Sequence, residues 1–269
     1  MIKKHPLASF YILAFLLSWL GWAPHVAGSR GIALFDHPAF MLTLLLAGGG
    51  PALAATAVTY ITGGKEELRA LYRPLGQWRV PWRWYAAALL GPGLLFGGAT
   101  VLQSVWSGTA VPLTPPSPWY AFIPLFVSNL LINVWEEVGW RGFTLPRWQR
   151  RYNALLSALI VGLFWGLWHL PLFFVIGHPF NSEPFAPWLA GVMAGSVIYT
   201  WLYNGTAGSL LIVTLYHAAF NSVGMQFYSG SDQAMTIIVI LAAVLLTAVF
   251  GPKRLAREGR VTRQYAQTA

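Results

Sequence analysis

The sequence has 269 residues, of which 56% are hydrophobic and 9% charged, with a mean hydropathy of +0.55. Soluble domains carry roughly a quarter charged residues, so this composition excludes an ordinary water-soluble enzyme, and its apolar and aromatic content excludes a disordered chain. Lys and Arg total 17 against 8 Asp and Glu, a formal charge of +9; a nucleic-acid binder would need a soluble surface to display that excess, and the absence of cysteine removes disulfides, thiolate zinc sites and a cysteine nucleophile.

The expected class is all-α: a polytopic transmembrane helix bundle forming one membrane domain over 1–269. Six stretches lack Asp, Glu, Lys and Arg: 5–29, 37–64, 84–135, 152–182, 184–231 and 233–252. A membrane helix needs about 20 apolar residues. Two of the stretches are long enough for two spans, and each is interrupted by turn formers, SGTAVPLTPPSP at 107–118 and NGTAGS at 204–209. Eight helices are predicted, near 7–24, 38–62, 84–106, 119–145, 153–176, 188–203, 209–228 and 234–251. The first apolar run, Leu7 to Trp22, exceeds a signal-peptide core and lacks a small-residue cleavage pattern, so it is expected to be a retained span.

The basic residues test this count. Eight alternating spans place Lys3 and Lys4, the 65–83 cluster, Arg141 to Arg151 and the tail from Lys253 to Arg263 on one side, leaving Arg30 alone on the other. That bias marks the basic side, with both termini, as cytoplasmic. Segment 63–83 reads as a cytoplasmic amphipathic surface helix, rich in Arg and Trp and anchored among lipid headgroups. The tail, 252–269, reads as basic and either solvated or lipid-facing. Membrane lipids are expected partners and nucleic acid is not.

Ionisable groups inside a bilayer are costly and mark function by default. Span four holds Asn129, Asn133, Glu136, Glu137 and Arg141; span five holds His169; span seven holds His217 and Asn221. Adjacent carboxylates point about 100° apart on a helix. Glu137 and Arg141, at i,i+4, can pair on one face, and Asn129 and Asn133 continue that stripe. Glu136 is then free for a different neighbour. Pro171 is expected to kink span five just beyond His169. The four-to-five hairpin turns near 151–153, which brings Glu136 and His169 to one depth, where they can share and polarise one water molecule. His217 and Asn221, also i,i+4, can direct two donors at one oxygen, as a developing oxyanion requires. His217 lies nearer its cytoplasmic turn than the other pair, a mismatch of several ångströms at ~1.5 Å per residue; helix tilt, or projection of spans four and five beyond the membrane, would absorb it.

The pattern Glu136-Glu137-x-x-x-Arg141, then Trp165-x-x-x-His169, then His217-x-x-x-Asn221 resembles the CPBP family, also called ABI, which includes the type II CAAX prenyl proteases. The three motifs occur in family order, in three spans, and the resemblance covers about 120–225. Trp165 stands where the family usually has Phe. The resemblance implies a glutamic-type intramembrane endopeptidase without a metal or other cofactor. Glu136 and His169 would activate water, His217 and Asn221 would form the oxyanion hole, and Glu137 and Arg141 would support them. The implied substrate is a peptide or protein, in the prenyl-processing members a lipidated one trimmed of its last three residues. The cell (inner) membrane is the expected location.

Other readings stay open. Two His and two Glu are enough for a zinc protease, although no H-E-x-x-H occurs and Asn is a poor zinc ligand. A non-catalytic membrane scaffold or bacteriocin immunity protein could retain the same residues. A transporter also buries charge, but no inverted repeat is visible.

Overall fold

Helix starts in this chain follow its Pro, Ser and Asn residues. Pro6 lies in the first turn of α1 (Pro6–Ser29), where its missing N–H leaves no intrahelical bond unmade. The Asn153 side chain accepts from Leu156 N–H at 2.8 Å and caps α6 (Ala154–Trp168). Ser209 and Ser231 cap α8 (Leu210–Phe227) and α9 (Asp232–Phe250) in the same way. The remaining helices are α2 (Thr43–Tyr72), α3 (Trp82–Ser107), α4 (Phe122–Glu137), α5 (Leu145–Gln149) and α7 (Phe185–Gly205). This computed structural model describes residues 2–111, 118–257 and 259–262.

Among the described residues there is no strand, and eight helical segments are long and apolar enough to cross a membrane. They run Pro6–Ser29, Pro38–Gly76, Trp82–Ser107, Trp119–Gln149, Ala154–Phe174, Phe185–Gly205, Leu210–Phe227 and Asp232–Phe250. They follow the eight predicted spans in order, and the protein is a multi-pass helical bundle. The 204–209 turn is in place, with Ala207 (φ 51°) and Gly208 (φ 91°) in left-handed conformation. Of the 107–118 breaker, 112–117 lies outside the described residues.

Small residues let the helices approach. A Cβ on Gly21 of α1 would lie 2.5 Å from Ala47 N of α2, and one on Gly162 of α6 would lie 2.7 Å from Met193 Cα of α7. Lipid tails are as apolar as leucine, so close van der Waals packing of this kind, with buried hydrogen bonds, holds membrane helices together. Asn129 Nδ2 of α4 supplies one such bond to Ser222 Oγ of α8, at 2.9 Å.

The 63–83 segment opens at a break in α2: two helices meet at Gly64 (φ 69°, ψ −160°), the second runs to Tyr72, and a 3-10 turn follows over Arg73–Gly76. Two expectations are revised. Pro171 does not kink α6. The helix ends at Trp168, His169 caps it, and Pro171 lies in the 3-10 turn Leu170–Phe174. A proline disfavours the α conformation in the residue before it and has no N–H to extend the ladder. The described part of the tail, 252–257 and 259–262, is docked rather than loose. Leu255 and Ala256 are buried, Asn204 Nδ2 donates to Arg254 O (2.8 Å), and Asn204 Oδ1 accepts from Val261 N–H (3.1 Å). Gln149 joins the same knot through a reciprocal amide pair with Asn204 (3.0 and 2.8 Å). Arg263, counted with the basic tail, lies outside the described residues, as do 258 and 264–269.

Candidate active site

The span begun by α4 does not stay α-helical. After Glu137 it widens into a π-helical turn, Val138–Thr144, and resumes as α5. Such turns are rare and gather at functional sites. Here the widening is accommodated by glycine: a Cβ on Gly139 would lie 2.5 Å from Pro51 Cβ and 2.9 Å from Pro51 backbone atoms. Every residue of the turn is buried, and its aromatic side chains lock into α1, with Phe10 stacked on Phe143 (centroids 4.9 Å) and edge-on to Trp140 (5.5 Å).

The turn aims Arg141 back at Glu137. Arg141 Nη1 lies 3.1 Å from Glu137 Oε1, and both side chains are fully buried. The predicted i,i+4 pair is therefore present. The same Oε1 lies 2.8 Å from His217 Nδ1 of α8. A carboxylate shared by a guanidinium accepts, so His217 Nδ1 carries the hydrogen and Nε2 is left for another partner. The guanidinium of Arg141 sits between two aromatic faces, 4.3 Å from the Trp165 ring centroid and 4.1 Å from that of Tyr199. Its Nε and Nη2 have no hydrogen-bond partner among the described residues; the ring faces take the place of water as its surroundings.

Glu136 turns to a different neighbour, as its place on the helix requires. Its Oε2 accepts a 2.7 Å hydrogen bond from Trp165 Nε1 of α6. His169, one turn further along, places Nδ1 2.8 Å from Trp165 O. A carbonyl oxygen only accepts, so Nδ1 donates and the neutral imidazole has its lone pair on Nε2. The His169 ring lies among Trp165, Trp168, Trp188 and Trp22, with centroids 5.8, 4.6, 5.5 and 6.4 Å away.

Residues from four segments are thus brought together around one indole. Trp165 bonds Glu136 and His169, stacks with Arg141 and meets the His217 ring edge-on at 5.5 Å. The π turn also eases the depth mismatch of His217, because more residues per turn shorten the climb from the basic end to Glu137. Asn221 is the loosest member: its Nδ2 is 3.4 Å from Asn133 Oδ1, a long bond. The two polar groups of α8 are not equivalent, since His217 Nδ1 is held by Glu137 and Nε2 is the ring nitrogen left over, whereas Asn221 is bonded only loosely. His169 and Asn221 are half-buried, while Glu136, Glu137, Arg141 and His217 are buried. Contact with the surroundings is therefore made on the side of the centre away from the basic end.

Sequence reasoning passed over Trp165 as a donor, treating it as one more aromatic. The available signal was its residue type, since indole is the one large aromatic with an N–H and no acceptor. It also passed over Tyr199 and Ser222. Among the described residues, no three of His, Asp and Glu come together in a way that could hold a metal ion.

Fold and site define a multi-pass helical membrane protein with a buried carboxylate–imidazole–guanidinium centre. Residues 117–223 of this chain match the family model described as type II CAAX prenyl endopeptidase Rce1-like. The resemblance read from the three motifs therefore holds across the stretch that contains them. The chain is also 30% identical over 107 residues to CAAX prenyl protease 2 of Methanococcus maripaludis, an alignment covering 37% of this chain and 39% of that protein. The chain thus spans about two fifths of the length of the curated relative it matches.

Proposed function

We propose that this protein is an intramembrane endopeptidase of the glutamic type, working without a metal, in which Glu136 and His169 activate water and His217 and Asn221 stabilise the oxyanion. The observation that supports it most is the gathering of Glu136, Glu137, Arg141, His169 and His217 around Trp165 inside an apolar bundle. Burying so many polar groups in a membrane carries a cost that packing alone does not require.

Water is a poor nucleophile until a base takes its proton. His169 Nε2 and the second oxygen of Glu136 are the acceptors for that proton. The water oxygen attacks the peptide carbonyl carbon, and negative charge moves to the carbonyl oxygen. His217 Nε2–H and Asn221 Nδ2–H donate to that oxygen; removing one such donor costs about 2.7–4 kcal/mol of barrier. Glu137 is counter-ion to both His217 and Arg141. The C–N bond then breaks as the proton held by the Glu136–His169 pair passes to the leaving nitrogen.

The substrate proposed is a membrane-associated peptide or protein, processed at its C-terminus in the manner of a CAAX sequence. The basic end of the bundle faces the cytoplasm in this reading, and the location is the cell membrane. The test compares detergent-purified wild type with Glu136→Gln and His169→Ala on farnesylated and unprenylated reporter peptides ending in a CAAX sequence, with and without chelator. Cleavage by wild type in chelator, lost in both variants, is the expected result. Undiminished turnover in either variant would end the water-activation assignment. Activity lost in chelator and restored by zinc would favour a zinc protease, and a Glu136→Gln variant with full biological effect would favour a non-catalytic role.

A further inference from the structure

The bond between Trp165 and Glu136 does something that phenylalanine at position 165 could not do. Nε1 of Trp165 is buried and lies 2.7 Å from Glu136 Oε2. A phenylalanine there would fill similar space on the same helix face but leave that carboxylate oxygen without a donor. The carbonyl of the same residue holds His169 Nδ1 at 2.8 Å. One residue therefore fixes both members of the proposed water-activating pair, one through its side chain and the other through its backbone.

The positions of its neighbours make the indole hard to turn. Arg141 lies over its face at 4.3 Å, while Tyr199 and His217 meet it edge-on at 5.3 and 5.5 Å. A ring clamped on several sides holds its N–H in one direction, and a charge-assisted bond from a fixed donor restricts the carboxylate to one rotamer. Glu136 ends α4, just before the π turn, and no other hydrogen bond fixes its orientation among the described residues.

We propose that Trp165 is the positioning residue of this centre: its indole N–H pins Glu136 Oε2 while its carbonyl pins His169 Nδ1, so that the free carboxylate oxygen and His169 Nε2 are held toward one shared water. This rests on the reading of Glu136 and His169 as the water-activating pair. Trp165 itself touches neither water nor substrate.

The test uses Trp165→Phe in the full-length protein, in micelles, with a fluorogenic farnesylated peptide ending in a CAAX sequence. Loss of the donor misplaces the base and lowers kcat roughly 10- to 100-fold. KM and the unfolding temperature stay near those of the wild type. Unchanged kcat would overturn the positioning role and leave the assignment of Glu136 intact; a Glu136→Gln variant with wild-type kcat would instead overturn the assignment of Glu136. A second measurement needs neither turnover nor the Phe variant to fold. In protein labelled with 15N-tryptophan, one indole N–H resonance should move upfield when Glu136 becomes Gln, because a neutral acceptor replaces a charged one. If every indole resonance stays in place, no such bond exists and the proposal fails.

Discussion

Helices α8 and α9 are consecutive spans of similar length that have opposite relations to their surroundings. Of the eight spans, α9 is the most apolar, and 17% of its most apolar stretch is buried. The least apolar is α8, and 56% of its stretch is buried. Leu241, Val244, Leu245 and Val249 of α9 are exposed, whereas His217, Ser222 and Gln226 of α8 are enclosed. In water the greasier helix would go inside. In a bilayer an apolar side chain gains little by leaving lipid for protein, while a polar one must find partners. Burial in this protein therefore follows polarity, and the helix most enclosed by its neighbours is one that carries the proposed oxyanion donors.

Five substitutions would break or sharpen that contrast. The largest effect is expected where α8 meets α4. Glu137→Ala leaves the Arg141 guanidinium buried without its counter-ion and His217 Nδ1 without its acceptor, a loss of about 3–5 kcal/mol, read as a fall in unfolding temperature in micelles. Adding Arg141→Leu should restore much of it; a single variant as stable as wild type would mean that the centre is hydrated.

Asn221→Ala should come next, and in kinetics rather than stability. Its hydrogen bond to Asn133, at 3.4 Å, is too long to matter much to the fold. Loss of an oxyanion donor should cost about 2.7–4 kcal/mol of barrier, expressed in kcat with KM held. A pure KM effect would make Asn221 a substrate-binding group instead.

A smaller effect is expected at the crossing of α6 with α7. Gly162→Val places a side chain where a Cβ already comes within 2.7 Å of Met193 Cα. Overpacking of this kind costs about 1–3 kcal/mol, measurable in the same unfolding experiment. The smallest belongs to α9: Leu245→Ala, on a residue 64% exposed, should change stability by no more than about 0.5 kcal/mol. A larger loss would reveal a protein partner on that face.

The bundle and its polar residues were legible because both depend on local pattern. Charge-free length gives spans, the sorting of Lys and Arg gives their count, and ionisable residues inside spans give candidates. Contacts between helices were less legible because they depend on rotation and depth. The i,i+4 spacing paired Glu137 with Arg141 correctly, but nothing local said that His217 would also be held by Glu137 through Nδ1. Trp165 read as an interchangeable aromatic because only its neighbour across the helix interface makes its N–H matter. The tail read as free because its charge was counted, while its hold on the bundle comes through backbone groups meeting Asn204 and Gln149. The end of α6 at Trp168 was half visible: Pro171 signalled a disturbance, but the 3-10 turn after His169 rests on tertiary packing. Trp19 Nε1, for example, donates to Trp168 O at 3.0 Å.

The π-helical turn makes span four a slack joint. It links two helical rods through Val138–Thr144, one carrying the carboxylates and the other directing Gln149 to Asn204. A π turn holds about one residue more than an α turn, so deleting one residue within it lets the span close into continuous α-helix with little rotation of either rod. The same deletion in α4 itself would swing everything beyond it by about 100°. Related chains aligned through this span should therefore show any single-residue gap within Val138–Thr144 and not in the rods on either side.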